Sequence, residues 1–211
     1  MQFNEGLRMK QPTLPLRRPD MPCSSLVARR RLMLAGMAAL TSWAAPFAAA
    51  QQCRATPRDQ LGPFYTRGAP EQADLCASGS GGKERMQVGG RVLGADCKPL
   101  AGALVEVWHA DANGDYSQFT RGKKDDPACL LRASIKTDAE GRYTFASIIP
   151  AEYPGRPRHI HYRVSHTAHA TLVTQLYFTG DRGAVEGLTA VLQRDVQGVA
   201  RASFDITLNR A

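Results

Sequence analysis

Two histidines separated by one residue, His159 and His161, stand out in the segment RHIHYRV. On a β-strand, residues two positions apart point to the same face, with their Cβ atoms roughly 7 Å apart. Their ring nitrogens can therefore converge on one metal ion, and imidazole is a common metal ligand. The pattern alone has modest specificity, because two histidines that only pack or form hydrogen bonds would also produce it.

Two tyrosines extend this candidate site. Tyr153 precedes His159 in the proline-bounded turn EYPGRP, whose shape the prolines restrict. Tyr116 follows a strand-like segment and a DANGD turn. Each tyrosine by itself is typical of a packing residue with a solvated hydroxyl. Together with the histidines they offer two nitrogens and two phenolate oxygens, which suit a hard trivalent cation such as Fe³⁺ better than zinc.

Several longer segments resemble, in the same order, the intradiol ring-cleavage dioxygenases, which are non-haem ferric enzymes that open catechols between their two hydroxyls. The segments span residues 61–181 and read LGPFYTRGAPE, GRVLGADCKPLAGALVEVWHADANGDYS, TDAEGRYTFASIIPAEYPGRPRHIHYRV and TQLYFTGD. The resemblance implies Fe³⁺ as the cofactor, and a small aromatic diol and O2 as the partners. It also implies a muconate-type dicarboxylate product that contains both oxygen atoms of O2.

The resemblance assigns roles to individual residues. The ligands of Fe³⁺ fall on two tyrosines and two histidines: Tyr116, Tyr153, His159 and His161. Tyr153 is expected to be the ligand that a bound catechol displaces. Arg156 falls beside the ring that is cleaved, where a guanidinium stabilises negative charge. Gln175 and Tyr65 fall on positions close to the substrate, and Gln175 is counted with Arg156 and Tyr153 as catalytic.

The chain departs from the resemblance at two places. Only five residues separate Tyr153 from His159, and Gly155 stands where relatives often carry an aromatic residue; the pocket should therefore be more open. His109 replaces a glutamine that often follows VEVW, and we interpret it as a hydrogen-bonding residue rather than a fifth ligand. Two histidines further along the chain are predicted to be solvated: His166 and His169.

Two other functions remain open from the residues alone. One is an exported, transthyretin-like binding or carrier module that uses the His-x-His face for a ligand or a non-catalytic metal. The other is a zinc hydrolase, which requires a carboxylate base near the histidines; the nearest is Glu152. If Tyr116 and Tyr153 both reach the metal, the dioxygenase interpretation is favoured over the carrier module.

The elements that must position these residues are short strands. Residues 51–85 are rich in Gly, Pro, Ser and charge, which predicts an extended arm. From residue 86 to 211, β-rich segments separated by turn signals predict an all-β antiparallel sandwich of the transthyretin type, which would be the catalytic domain. Only residues 182–196 have a weak claim to helix. Seven segments are predicted as strands: MQVGGRVLG, ALVEVWHA, LRASIKT, RYTFASI, RHIHYRVSH, TLVTQLYF and ASFDITL.

Residues 1–50 have the layout of an export signal. Three arginines, Arg29 to Arg31, precede an uncharged run from Leu32 to Ala50 that ends in small residues. The arginines followed by Leu-Met resemble a twin-arginine signal, which carries folded proteins to the bacterial periplasm. An ordinary secretory signal is the alternative. A membrane is thus expected to be a partner only during export, and the sequence leaves open whether the chain forms a homo-oligomer.

The charge of the chain is concentrated in this signal. Residues 1–50 carry seven Lys/Arg and two Asp/Glu, so without them the formal net charge of +8 falls by five to +3. No stripe of clustered Lys or Arg is left in the remainder. The sequence therefore argues against a nucleic-acid partner.

Four cysteines follow the signal, which itself contains Cys23. An even number in an exported chain favours two disulfides. Three pairings are compatible with four cysteines, and we predict Cys53 with Cys76 and Cys97 with Cys129. A four-cysteine zinc site is disfavoured because no two of them form a C-x-x-C pair.

Overall fold

The computed structural model describes residues 52–77, 83–116 and 128–211. Within these ranges the chain forms strands and no helix, and so no helix there could span a membrane. The predicted export signal and Cys23 lie outside the described residues. The strands are β1 (Arg85–Gly94), β2 (Leu104–Trp108), β3 (Arg132–Lys136), β4 (Arg142–Ile148), β5 (His159–His166), β6 (His169–Phe178), β7 (Thr189–Ala190), β8 (Gln193–Arg194), β9 (Ala200–Ser203) and β10 (Ile206–Leu208).

The strands form two sheets. In the first, β1 pairs with β4, β9 and β10, and β8 extends the sheet beyond β9. The second sheet has the order β3-β2-β5-β6-β7. The predicted all-β sandwich is confirmed, but the sheets are mixed rather than purely antiparallel, because β1 pairs parallel with β9 and β10, and β6 pairs parallel with β7.

The core lies between the sheets and follows the alternation of the strands. On β5, the inward-facing side chains are Ile160, Tyr162 and Val164, all fully buried. The ring of Tyr162 meets the rings of Tyr143 and Phe145 from β4, with centroids 6.1 and 6.4 Å apart. Because side chains alternate along a strand, His159 and His161 project from the opposite, outer face of this sheet.

The arm covers that outer face. Residues 52–77 form no named strand and cross the second sheet one strand after another. Asp59 N donates to Val173 O of β6 at 3.0 Å, and Ser134 N of β3 donates to Pro70 O at 2.8 Å. Beyond this edge, Leu75 N donates to Ala146 O of β4 at 2.9 Å. The histidines of β5 are therefore buried from outside by the arm.

Two disulfides fasten the arm, as expected in number but not in pairing. The structure joins Cys53 to Cys97 and Cys76 to Cys129, so the predicted pairing of Cys53 with Cys76 and Cys97 with Cys129 is wrong. Cys53 and Cys76 lie at opposite ends of an arm that crosses a sheet, and each therefore bonds to the sandwich beneath it. Both ends of the arm are consequently fixed to the domain.

The weak helix prediction for residues 182–196 is also wrong. This segment contains the two-residue strands β7 and β8. Gly183 and Gly187 adopt φ values of +85° and +79°, which lie in the left-handed region and cannot continue a right-handed helix.

Candidate active site

The two histidines of β5 form the centre of the site. Their Nε2 atoms are 3.2 Å apart. The Nδ1 of His159 donates to the carbonyl of Pro157 at 2.7 Å, which leaves the lone pair of its Nε2 available for a metal. The indole of Trp108 stacks on the ring of His161 with centroids 4.9 Å apart. On the arm, Gly62 has φ +72°, and a Cβ there would lie 3.1 Å from Cε1 of His161.

Burial keeps both imidazoles neutral. Loss of solvent lowers the pKa of His159. Loss of solvent, together with the nearby His159 and Arg156, lowers the pKa of His161 to about 3. Because a neutral imidazole is the form that binds a metal, the pair is ready for a cation at neutral pH.

A tight turn after β2 carries Tyr116 to the histidines. The carboxylate of Asp111 accepts hydrogen bonds from the backbone N–H groups of Asn113 and Asp115, at 2.8 and 3.0 Å, which fixes the turn. The backbone carbonyl of Asp111 accepts a bond from Ala151 N at 3.0 Å. This last bond ties the turn of Tyr116 to the loop that leads to Tyr153.

The ring of Tyr116 is packed on several sides. It stacks on Phe64 of the arm, with centroids 4.0 Å apart, and lies 6.2 Å from the ring of His161. Burial raises the pKa of Tyr116, and the neighbouring Tyr153 raises it further. The phenol thus stays protonated in the metal-free protein, and a cation must replace the proton for the oxygen to ionise.

Tyr153 is the first residue of a hydrogen-bonded turn beside the histidines. Tyr153 and Arg156 exchange backbone hydrogen bonds of 3.3 and 2.8 Å, and Gly155 between them has φ +80°. The hydroxyl of Tyr153 lies 3.5 Å from Nε2 of His159, and its ring meets Tyr116 edge-on at 6.1 Å. The two predicted tyrosines and two predicted histidines are therefore brought together.

These four side chains fit a hard trivalent cation. Two nitrogen ligands that each lie about 2.1 Å from one metal are about 3.0–3.4 Å apart, and the Nε2 atoms of His159 and His161 are separated by 3.2 Å. Among the described residues, no group of three or more His, Cys, Asp or Glu side chains is suited to a metal. The additional donors would have to be the oxygens of Tyr116 and Tyr153, which suit Fe³⁺ better than Zn²⁺.

Arg156 is held beside this centre by a hydrogen-bond network. Its Nη2 donates to Oε1 of Gln175 at 2.6 Å and to the hydroxyl of Tyr177 at 3.1 Å. The side-chain amide of Gln175 donates to the backbone carbonyl of Gln60 at 2.6 Å. The hydroxyl of Tyr177 donates to Asp59 at 2.8 Å. Both predicted polar residues, Arg156 and Gln175, therefore lie at the site and contact each other.

The strand register explains this grouping. β5 pairs with β6 so that His161 lies opposite Gln175 and His159 lies opposite Tyr177. Sequence reasoning missed Tyr177, although it stands two residues after Gln175 and so shares its face. It also missed Asp59 and Gln60, because contacts of an irregular arm leave no periodic signal.

A cleft opens next to the centre. It has a volume of about 860 Å³, and Tyr153, Arg156, Tyr177, Asp59 and Arg182 are among the residues that line it. A Cβ at Gly155 would meet no atom within 4 Å, so the rim is open at this position; that the pocket is more open than in relatives stays a prediction.

Tyr65 lies to one side of this cleft and is not among its lining residues. Its hydroxyl donates to Glu106 at 3.0 Å, and Glu106 in turn forms an ion pair with Arg163 at 2.5 Å. The ring of Tyr65 packs on Trp108 with centroids 5.1 Å apart. Tyr65 therefore supports the stack behind His161, and its predicted role at the substrate stays a prediction.

The other histidines divide into two cases. His109 is buried; its Nδ1 donates to Ala110 O at 2.7 Å and its Nε2 accepts from Ser147 Oγ at 2.8 Å, so both ring nitrogens are used in hydrogen bonds as expected. His166 and His169 are half-buried with their Nδ1 atoms 3.1 Å apart, and the prediction that they are solvated is therefore only partly right.

The fold and the site define an all-β protein with a histidine–tyrosine donor set beside an arginine-containing cleft. The family described as Dioxygenase matches residues 61–198. The chain therefore belongs to the intradiol ring-cleavage dioxygenase family. It is 41% identical over 146 residues to catechol 1,2-dioxygenase 2 of Acinetobacter lwoffii, which covers 60% of this chain and 52% of that protein.

Further relatives support this assignment. The chain is 33% identical over 176 residues to 6-chlorohydroxyquinol 1,2-dioxygenase of Cupriavidus pinatubonensis, covering 71% of this chain and 63% of that one. It resembles catechol 1,2-dioxygenase from Acinetobacter sp. ADP1 with a TM-score of 0.66 and 33% identity, covering 74% and 63%. It resembles the dioxygenase domain of a dioxygenase carbohydrate-binding protein fusion from Streptomyces sp. SirexAA-E with a TM-score of 0.65 and 30% identity, covering 75% and 100%. The chain spans about half to two thirds of the curated relatives it matches.

Proposed function

We propose that this chain is a ferric, non-haem dioxygenase that cleaves a catechol-type aromatic between its two hydroxyls, using O2, to a muconate-type dicarboxylate. The observation that carries the proposal is the convergence of two tyrosine side chains on the paired Nε2 atoms of His159 and His161. Family membership supports the same reaction. The names of the relatives point to catechol or hydroxyquinol as the kind of ring.

His159, His161 and Tyr116 are the proposed permanent ligands. All three side chains are buried, and their positions are fixed by Pro157, Trp108 and Phe64 in that order. Bound Fe³⁺ would supply Lewis acidity that favours the ionised substrate and activates its ring toward O2.

Tyr153 is the proposed exchangeable ligand. Unlike Tyr116, it is only half-buried and lines the cleft. When the substrate takes its place, the Oη of Tyr153 would accept the proton of one substrate hydroxyl, and the proton of the second hydroxyl would pass to a hydroxide ion from solvent.

Arg156 is the proposed stabiliser of the negative charge that builds up on the ring. A guanidinium is always cationic at physiological pH and presents a flat face to an aromatic ring. Gln175 holds this guanidinium from one side at 2.6 Å, so the charge is already oriented before the substrate binds.

The test combines metal content, colour and product. The purified protein should contain iron and be reddish from tyrosinate-to-iron charge transfer, and Tyr116→Phe and Tyr153→Phe should each alter or abolish that colour. Oxygen uptake with catechol, hydroxyquinol and protocatechuate should yield intradiol products. Tyr143→Phe is the matched control and should leave the colour unchanged. The buried hydroxyl of Tyr143, on β4 of the first sheet, donates to Phe204 O. A colourless zinc protein, as a carrier or hydrolase would give, or a semialdehyde product would refute the proposal.

We also propose that residues 1–50 direct the chain to the periplasm. The two disulfides support an oxidising compartment. Cell fractionation should place the wild type in the periplasm and a variant with Arg29→Lys and Arg30→Lys in the cytoplasm. Equal export of both would point to an ordinary secretory signal, and a cytoplasmic wild type would refute export.

A further inference from the structure

The arm contributes a carboxylate to the active-site cleft. Asp59 precedes the segment LGPFY and lies on the cleft wall. Its backbone N–H donates to Val173 O of β6 at 3.0 Å. Both side-chain oxygens are engaged, because Oδ1 accepts from Gln60 N at 2.6 Å and Oδ2 accepts from the hydroxyl of Tyr177 at 2.8 Å. The carboxylate therefore has a fixed position and direction.

The hydrogen bonds around Tyr177 run in one direction. A guanidinium only donates, so the hydroxyl oxygen of Tyr177 accepts from Nη2 of Arg156 at 3.1 Å. The hydroxyl has a single proton, and an ionised carboxylate is a stronger acceptor than the amide oxygen of Gln175, which lies 2.9 Å away. The proton is thus directed to Asp59. Donation to a carboxylate makes the hydroxyl oxygen a better acceptor for Arg156.

We propose that Asp59 is a positioning residue of the active site, which acts through the hydroxyl of Tyr177 to hold the guanidinium of Arg156 over the cleft. The proposal rests on the proposed function for its role in ring cleavage. Arg156 lies in a loop, and the acceptors that hold its Nη2 are Gln175 and Tyr177. Loss of Asp59 frees the hydroxyl of Tyr177 to rotate toward Gln175 and compete with Arg156 for that oxygen.

The arrangement is electrostatically consistent. Burial and the adjacent Asp59 raise the pKa of Tyr177 to about 12, so the phenol keeps the proton that the chain of hydrogen bonds requires. The same carboxylate offsets part of the charge of Arg156 without contacting it directly. Arg156 therefore stays aimed at the cleft instead of forming a direct ion pair that would withdraw it from the substrate.

A double-mutant cycle tests the proposal on the purified, iron-loaded protein. Asp59→Ala and Tyr177→Phe should each lower kcat/KM by about 10- to 100-fold, with iron content and the charge-transfer band unchanged. If Asp59 acts through Tyr177, the double variant should be at most about threefold worse than either single variant. The proposal would be overturned if the two losses of kcat/KM multiplied in the double variant or if Asp59→Ala left kcat/KM unchanged. Loss of the charge-transfer band of the iron in either single variant would also overturn it.

A matched control and a second readout separate this proposal from the proposed function. Glu71→Ala removes another arm carboxylate, whose ion pair with Lys136 is exposed, and should leave kcat/KM unchanged. Crystal structures of the metal-free proteins should show Arg156 bonded to Gln175 and Tyr177 in the wild type and displaced in Asp59→Ala; an unmoved Arg156 would overturn the proposal. If the wild type cleaves no catechol, the proposed function fails, and these structures still decide whether Asp59 positions Arg156.

Discussion

At the scale of a single residue, His109 makes the stability of the protein depend on pH. Burial lowers its pKa from 6.5 to about 4. Below pH about 6.5 the unfolded chain binds a proton at this position and the folded protein does not, so falling pH favours unfolding until the folded pKa is reached. His109 should therefore account for a loss of about 2 kcal/mol between pH 7 and pH 5.

The measurement is urea denaturation of the metal-free protein at both pH values. The buried His159 and His161 act in the same direction, since their pKa values are also lowered. The difference between wild type and His109→Gln isolates His109, because glutamine can keep hydrogen bonds to Ala110 O and Ser147. Equal pH dependence in the two proteins would contradict the prediction.

The residues of the centre could be predicted because their types and spacing carry chemistry. His159, His161, Tyr116 and Tyr153 converge as the sequence indicated. The support around them could not be predicted, because it depends on which part of the arm crosses which strand. Asp59 meets Tyr177 across a separation of 118 positions, and nothing in either local sequence points to the other.

At the scale of the elements, β1 lies very close to the segment between β9 and β10. This close approach predicts that one added methyl group lowers the stability of the protein strongly. A Cβ at Gly90 would lie 2.0 Å from the backbone oxygen of Phe204, whereas a Cβ at Gly89 would lie 3.2 Å from that of Tyr143. Gly90→Ala should therefore lower the free energy of unfolding by about 2 kcal/mol or more, and Gly89→Ala by clearly less. Urea denaturation of both variants checks this; equal losses would contradict it.

The strands were largely visible in the sequence, and their pairing was not. β4 has the predicted bounds, Arg142–Ile148. The predicted strand ASFDITL is divided into β9 and β10, which pair with successive halves of β1. The break falls at Asp205, whose carboxylate accepts a bond from Arg91 N at 2.8 Å. The register with β1 is the same on both sides of this break. The hydrophobic alternation also continues through it, so the sequence pattern does not reveal where the pairing is interrupted.

For the whole molecule, the fastening of the arm predicts a large contribution of the disulfides to stability. The bonded cysteines are separated by 44 and 53 positions, and loops of this length correspond to about 4 kcal/mol each. Replacing both cysteines of either pair by serine should lower the unfolding free energy accordingly, as measured by urea denaturation of the metal-free protein.

The two variants, each lacking one disulfide, should differ in activity. Loss of the Cys53–Cys97 bond frees the end of the arm nearest Asp59 and should lower kcat/KM more than loss of the Cys76–Cys129 bond. If each pair of substitutions lowers the free energy of unfolding by less than about 1 kcal/mol, other contacts hold the arm. If both variants have the same kcat/KM, Asp59 keeps its place without the Cys53–Cys97 bond.

The parallel pairing of β1 also governs when the protein can fold during synthesis. The strands β2, β3, β5 and β6, which carry or adjoin the histidines, are complete by residue 178. β1 obtains its parallel partners only from residues 200–208, and its contact between Arg91 and Asp205 closes a separation of 114 positions. A nascent chain on the ribosome therefore carries an unpaired edge of β1 until translation has passed these residues, and the sandwich closes only afterwards.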